Sequence, residues 1–189
     1  MLIDTHAHLN SLGDTRQVIT ECIESNVTEV ISVSTDIPSS IHNIKIANEF
    51  DEVYSAVGIH PCDIGTLNLM DLDKIEELSI DSNNKAIGEI GLDYHYNFSD
   101  PQIQLPIYIN QLELAKAYNL PAVIHCREAE NDILNGIIST KSNQGVIHCF
   151  SGDYTFAKKI LNTGYKISFT GLITFTGNSY KKVIQEVNL

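Results

Sequence analysis

Short apolar runs alternate with longer amphipathic stretches along the whole chain. The runs Leu2–Thr5, Glu29–Val33, Val53–Val57, Lys85–Ile90, Ala122–His125, Gly145–His148 and Lys166–Phe169 are rich in aliphatic and β-branched residues. Each is bounded by turn formers, which predicts strands. Between them, Asp14–Ser25, Pro38–Phe50, Leu69–Ser79, Pro101–Tyr118, Asp153–Leu161 and Ser179–Val187 read as helices. In the fourth of these, Ile107, Leu112, Leu114, Ala115 and Tyr118 form one apolar face. The stretch between Arg127 and Gly145 also reads as helical, although Gly136 weakens it. Regular alternation of this kind predicts an α/β fold with a parallel sheet, either open and doubly wound or a TIM-type (β/α)8 barrel. Polar groups close strands one, four, five and six instead of gathering at one switch point, which favours the barrel. Only seven strands are found in the 189 residues, so the expected fold is an incomplete barrel, seven of eight strands in one domain, 1–189.

Composition narrows the function. No apolar run approaches the roughly 20 residues of a membrane span, and no secretory signal precedes the first strand. Cys22, Cys62, Cys126 and Cys149 show no Cys-x-x-Cys spacing, which argues against a zinc ribbon or redox motif and predicts a reduced, cytoplasmic protein. Acidic residues outnumber basic ones 24 to 12, for a formal charge of −12. A chain this acidic lacks the basic face that grips long duplexes. Divalent cations in a cleft would restore local positive charge and allow work on phosphate esters.

The chemistry lies at the strand ends. His6 and His8, two apart on an extended strand, point to one side and can chelate a single ion. Glu89, within an apolar strand flanked by Gly88 and Gly91, would be costly to bury without a partner. Two strands end in the same tetrapeptide, Val-Ile-His-Cys, and present His125 and His148. Each histidine alone reads as a core residue; together with Glu89 they read as a metal site. Imidazoles and a carboxylate suit Zn, Mn, Fe or Mg, and five ligands exceed what one catalytic zinc needs. Two divalent ions with Glu89 between them are therefore expected, the arrangement used for in-line attack on phosphorus. Cys126 and Cys149 face the opposite way by strand parity, under the helices. His60, in Gly58-Ile-His-Pro61, reads as a substrate-phosphate contact or a plain loop residue. Arg127 reads as a bidentate clamp for a phosphate or carboxylate, or as a helix-capping or surface salt-bridge residue, and Asp93 as an orienter of a ligand imidazole or a helix cap.

The segments Asp4-Thr-His-Ala-His8, Gly58-Ile-His-Pro61, Gly88-Glu-Ile-Gly-Leu-Asp93, Val123-Ile-His-Cys-Arg127, His148-Cys-Phe-Ser-Gly152 and Phe169-Thr-Gly-Leu-Ile-Thr-Phe175 together resemble the TatD family of metal-dependent hydrolases, in the amidohydrolase superfamily. The resemblance implies a TIM-type barrel and a TatD-type deoxyribonuclease or other phosphodiesterase acting on DNA ends. It implies His6 and His8 on one ion, His125 and His148 on the other, and Glu89 bridging. Some relatives imply removal of D-amino acids from mischarged tRNA, and others hydrolysis of small amides or esters. Family members of about 250 residues continue past the point matching Leu189, into an eighth strand that carries an Asp ligand. Asn178–Leu189 holds no Asp, so the chain reads as truncated and its activity as weakened. An inactive metal-binding remnant or assembly partner is the non-catalytic alternative. Open edges on the first and seventh strands predict a homo-oligomer or a companion segment.

Overall fold

The computed structural model describes residues 1–67, 70–96, 98–175 and 181–187. Seven strands, β1 (Leu2–Ala7), β2 (Val27–Val33), β3 (Val53–Val57), β4 (Asn84–Asp93), β5 (Ala122–Arg127), β6 (Gly145–Ile147) and β7 (Lys166–Ile167), alternate with seven helices. The helices are α1 (Thr15–Glu24), α2 (Ile37–Glu49), α3 (Met70–Ser79), α4 (Pro101–Ala117), α5 (Glu130–Thr140), α6 (Tyr154–Asn162) and α7 (Lys181–Glu186). Every neighbouring pair of strands is parallel, and the sheet follows chain order from β1 to β7. This is the strand order of a TIM-type barrel, with no β1–β7 pairing among the described residues. Leu69 and Ser179, expected to open the third and last helices, lie outside the described residues.

Local chemistry explains most helix starts. Asp14, Asp36, Asp100 and Asp153 precede α1, α2, α4 and α6, and each carboxylate accepts first-turn backbone N–H groups. A cap lies outside the helix it starts, which accounts for starts one residue later than the patterning predicts at Asp14 and Asp153. The main apolar core fills the space between sheet and helices, with Ile87, Ile90, Leu92, Leu112, Ile124 and Ile133 fully buried. A smaller cluster, Val33, Ala56, Ala86 and Val123, faces the inside of the curved sheet. Below it, a cavity of about 500 Å3 opens at the N-terminal ends of the strands, lined in part by Ile31, Ala86, Val123, Val146 and Ile167. Leu2 and Ile3 on β1 stay exposed.

Two polar side chains of α4 tie this core to the upper face. Gln104 and Gln111, seven residues and two turns apart, are both buried on the helix side facing the sheet. Gln111 accepts from the Ile59 N–H (2.8 Å) and donates to the Ile59 carbonyl (3.1 Å). Gln104 accepts from the Asp93 N–H (2.8 Å) and donates to the carbonyls of Asp93 and Ser99 (2.9 Å each). Each glutamine thus satisfies buried backbone groups at the upper end of the sheet, Gln111 those of Ile59 just past β3 and Gln104 those of Asp93 at the end of β4. Gln111→Ala would leave two buried backbone groups of Ile59 unpaired, and each orphan costs about 1–3 kcal/mol. Urea unfolding should show a loss of about 3 kcal/mol; a loss under about 0.5 kcal/mol would mean that water replaces the amide.

Candidate metal centre

Strands β1, β4, β5 and β6 deliver imidazoles and one carboxylate to the same upper face. Glu89 sits in mid-β4, 5% exposed, its backbone N–H held by the Ser34 carbonyl at 2.6 Å. Glycines make that position possible. A Cβ on Gly88 would lie 2.6 Å from the Val123 Cβ, and one on Gly91 would lie 2.0 Å from the His125 carbonyl oxygen. Gly91 also has φ +132°, which L side chains rarely adopt. β4 can therefore run on to Asp93, three residues past the predicted end, and register Gly91 against His125 and Asp93 against Arg127. β6, by contrast, ends at Ile147, one residue early. His148 leaves the ladder with its N–H on the Ile124 carbonyl (2.8 Å), and Cys149 turns the chain at φ +47°.

The two oxygens of Glu89 face different partners. Oε2 lies 3.3 Å from His6 Nε2 and 3.9 Å from His8 Nε2, while Oε1 lies 3.4 Å from His125 Nδ1 and 3.9 Å from His60 Nε2. The His148 ring stacks on His6 with centroids 3.4 Å apart. Ligand atoms within 4.8 Å of one another form two sets, His6–Glu89–His148 and His60–Glu89–His125. His8, 38% exposed along its side chain, stands beside the first set. Burial opposes a charge on Glu89, but the imidazoles of His125 and His6 beside it hold its carboxyl well below the usual range. Burial pushes His60 and His148 down to about 4, against the charge of Glu89. Burial works the same way on His125, where contacts with Glu89 and Asp93 reverse the outcome and raise it.

Hydrogen bonds on the far side of each ring decide which nitrogen is bare. His8 Nδ1 lies 2.8 Å from the Val33 carbonyl, which can only accept, so in the neutral ring Nε2 is unprotonated and turned to Glu89. His125 Nε2 lies 2.8 Å from Asp93 Oδ2, which leaves Nδ1 bare toward Glu89. Both ring nitrogens of His6 are buried without any hydrogen-bond partner. Unsatisfied imidazole lone pairs around a buried carboxylate fit divalent cations, and carboxylates or carbonyls behind ligand imidazoles are the usual support. His60 differs. Its Nδ1 accepts the Cys62 N–H at 3.1 Å, so the neutral ring carries its proton on Nε2 and presents a donor to the site.

Arg127 continues β5 beyond His125 and lays its guanidinium over the Tyr96 ring, 4.5 Å from the centroid. Cys126 packs under the helices, where burial pushes its thiol up to about 12. Cys149 Sγ lies 3.0 Å from Thr170 Oγ1 and belongs to neither ligand set. Gln104 and Gln111 are positioning residues that the apolar patterning passes over. Two glutamines seven apart on an otherwise buried helix face are the signal that could have found them.

The family model described as TatD related DNase matches residues 3–189. The uncharacterized metal-dependent hydrolase YabD of Bacillus subtilis is 36% identical over 194 residues, covering 99% of this chain and 76% of that protein. The 3'-5' ssDNA/RNA exonuclease TatD of Shigella flexneri is 28% identical over 162 residues, covering 85% of this chain and 62% of that protein. Among solved structures, YjjV, a TatD homolog from Escherichia coli, aligns with a TM-score of 0.91 at 28% identity, over 99% of this chain and 75% of that one. A TatD family hydrolase from Entamoeba histolytica aligns with a TM-score of 0.88 at 27% identity, over 99% and 70%. Ligand-ready imidazoles around a buried glutamate, on a parallel sheet in barrel order, agree with the family match: the chain belongs to the TatD family of metal-dependent hydrolases.

Proposed function

We propose that this chain is a divalent-metal phosphodiesterase, a TatD-type nuclease acting on nucleic acid ends. The observation that carries the reading is Glu89, a buried carboxylate with imidazoles ranged on both of its oxygens. His6, His8, His125 and His148 with Glu89 would hold two divalent ions, Zn, Mn, Mg or Fe, Glu89 lying between them. Such ions polarise a phosphoryl oxygen and supply a strong nucleophile from water. The chain's own residues do the rest. His60 donates from Nε2 to a phosphate oxygen and, neutral down to about pH 4, adds no charge to the ligand field. Arg127 forks onto a flanking phosphate. Asp93 is a positioning residue that fixes the His125 ring. The described residues contain no helix long and apolar enough to cross a membrane, and the four cysteines are unpaired; both accord with a cytoplasmic enzyme.

The deciding experiment is metal loading followed by mass spectrometry and a phosphodiester assay. About two Mn or Zn per chain, with metal-dependent hydrolysis, is the expected result. A ligand at a hundredfold excess over its Kd adds about 2.7 kcal/mol of stability, so the Tm should rise by about 5–10 °C. Less than one ion per chain, or hydrolysis of amides but not phosphodiesters, would overturn the reading. Asp93→Asn keeps an acceptor for the neighbouring amides but weakens the support behind His125. Metal titration should show affinity down about 10–100-fold; unchanged affinity would assign Asp93 to the fold alone.

A further inference from the structure

The helix α2 buries polar side chains against the sheet, where apolar ones would pack at no cost. Ser40 and Asn43, three residues apart on one helix face, are both fully buried. Asn43 spans the end of β2. Its Oδ1 accepts from the Ser32 hydroxyl at 2.8 Å, and its Nδ2 donates to the Ser34 hydroxyl at 2.9 Å. Both serines are fully buried as well. Ser32 and Ser34 point to one side of the strand and Val33 to the other, so one amide fixes three successive residues. A buried network of this kind is rigid while its members stay paired.

Those three residues hold one flank of the metal face. Pairing between β1 and β2 is irregular from Asp4 to Ala7 and ends at the pair Ala7–Ser32, so His8 and Leu9 lie beyond the ladder. The clamped strand end holds them instead. Ser32 Oγ accepts the Leu9 N–H at 3.1 Å, and the Val33 carbonyl lies 2.8 Å from His8 Nδ1. The Ser34 carbonyl accepts the Glu89 N–H at 2.6 Å. The other flank is braced separately. Asp93 sets His125 through Oδ2, and its Oδ1 accepts the N–H groups of His95 and Tyr96 at 3.0 and 2.9 Å. We infer that Asn43 is a positioning residue: through the end of β2 it aims the His8 ring and seats Glu89, and so sets the affinity of the ion that His6 and His8 would share. The inference rests on the metal-centre reading and deepens it by giving the two ions separate supports.

Stepwise Zn titration of the full chain against a chelating dye tests it. Asn43→Ala leaves two buried hydroxyls without their partner, which loosens the end of β2. One Zn should then bind about 10–100-fold more weakly, while the other stays within threefold. Ile75→Ala, a cavity in the main core under α3, controls for lost stability; it should lower the Tm and leave both steps within threefold. The His8 ring gives a second readout, in the metal-free chain at a pH where the ring is neutral. Its imidazole nitrogen NMR signals should place the proton on Nδ1, facing the Val33 carbonyl. Asn43→Ala should move that proton toward Nε2. Unchanged Zn affinity in Asn43→Ala, an equal loss in Ile75→Ala, or a His8 proton that stays on Nδ1 would each overturn the inference. Should Asn43→Ala not fold, Ser34→Ala removes one of the two contacts and is read in the same way. The tautomer separates the clamp from the metal reading. A shifted His8 proton in Asn43→Ala, with no Zn taken up by the unmodified chain, keeps the clamp and removes the metal centre. Two Zn per chain, bound as tightly by Asn43→Ala, keeps the metal centre and removes the clamp.

Discussion

Glu89→Gln should reduce metal-dependent hydrolysis by about 10³-fold or more while leaving the fold in place. Glutamine has the same shape, but its amide offers one oxygen instead of two and no charge. Both ligand sets would then lose the anionic oxygen they share through Glu89. Metal ions supply several kcal/mol of transition-state stabilisation, and each 1.36 kcal/mol is a factor of ten. Metal per chain should fall below one by mass spectrometry, with an unchanged far-UV spectrum. Turnover within threefold of the unmodified chain would show that the carboxylate is structural and that the chemistry lies elsewhere.

Gly91→Ala tests how tightly the sheet holds that carboxylate. The added methyl would meet the His125 carbonyl oxygen at 2.0 Å, with the His125 carbonyl carbon and amide nitrogen at 2.9 and 3.0 Å. Backbone cannot swing aside as a long side chain can. The positive φ adds about 1–2 kcal/mol for any L residue, and overpacking a core costs about 1–3 kcal/mol. A loss of about 3–5 kcal/mol is expected, which lowers the Tm by about 10 °C in a chain of this size. Because β4 and β5 must separate, His125 moves away from Glu89 and metal uptake should fall as well. A Tm within 2 °C, with normal metal content, would mean that the two strands can slide at no cost.

Much of this was legible in the residues. The seven strands and their helices follow from the alternation of apolar runs with amphipathic stretches, and Asp caps mark four of the helix starts. The strand ends were less legible, for reasons that differ. The apolar pattern ends the fourth strand at Ile90, yet Gly91 lets β4 continue, because only glycine clears the His125 backbone. β6 stops early because its third ladder partner is Ile124, after which Cys149 turns the chain. In the site, the residue types were readable from their places at strand ends. Their neighbours were not. That His148, just past β6, stacks on His6 of β1, five strands away in the sheet, depends on curvature that no local pattern encodes. The proton on His60 Nε2 depends on one backbone amide two residues on.

The divided use of Asp93 has a thermodynamic consequence. One oxygen sets the His125 ring and the other sets the turn that carries Tyr96, so the two events draw on the same rigid carboxylate. A cation that ordered the ring would also order the turn, and a ligand held on the turn would steady the ring. Linkage requires the factor by which either ligand strengthens the other to be identical in both directions. Metal affinity measured with and without a single-stranded oligonucleotide would therefore report the same cooperativity as oligonucleotide affinity measured with and without metal.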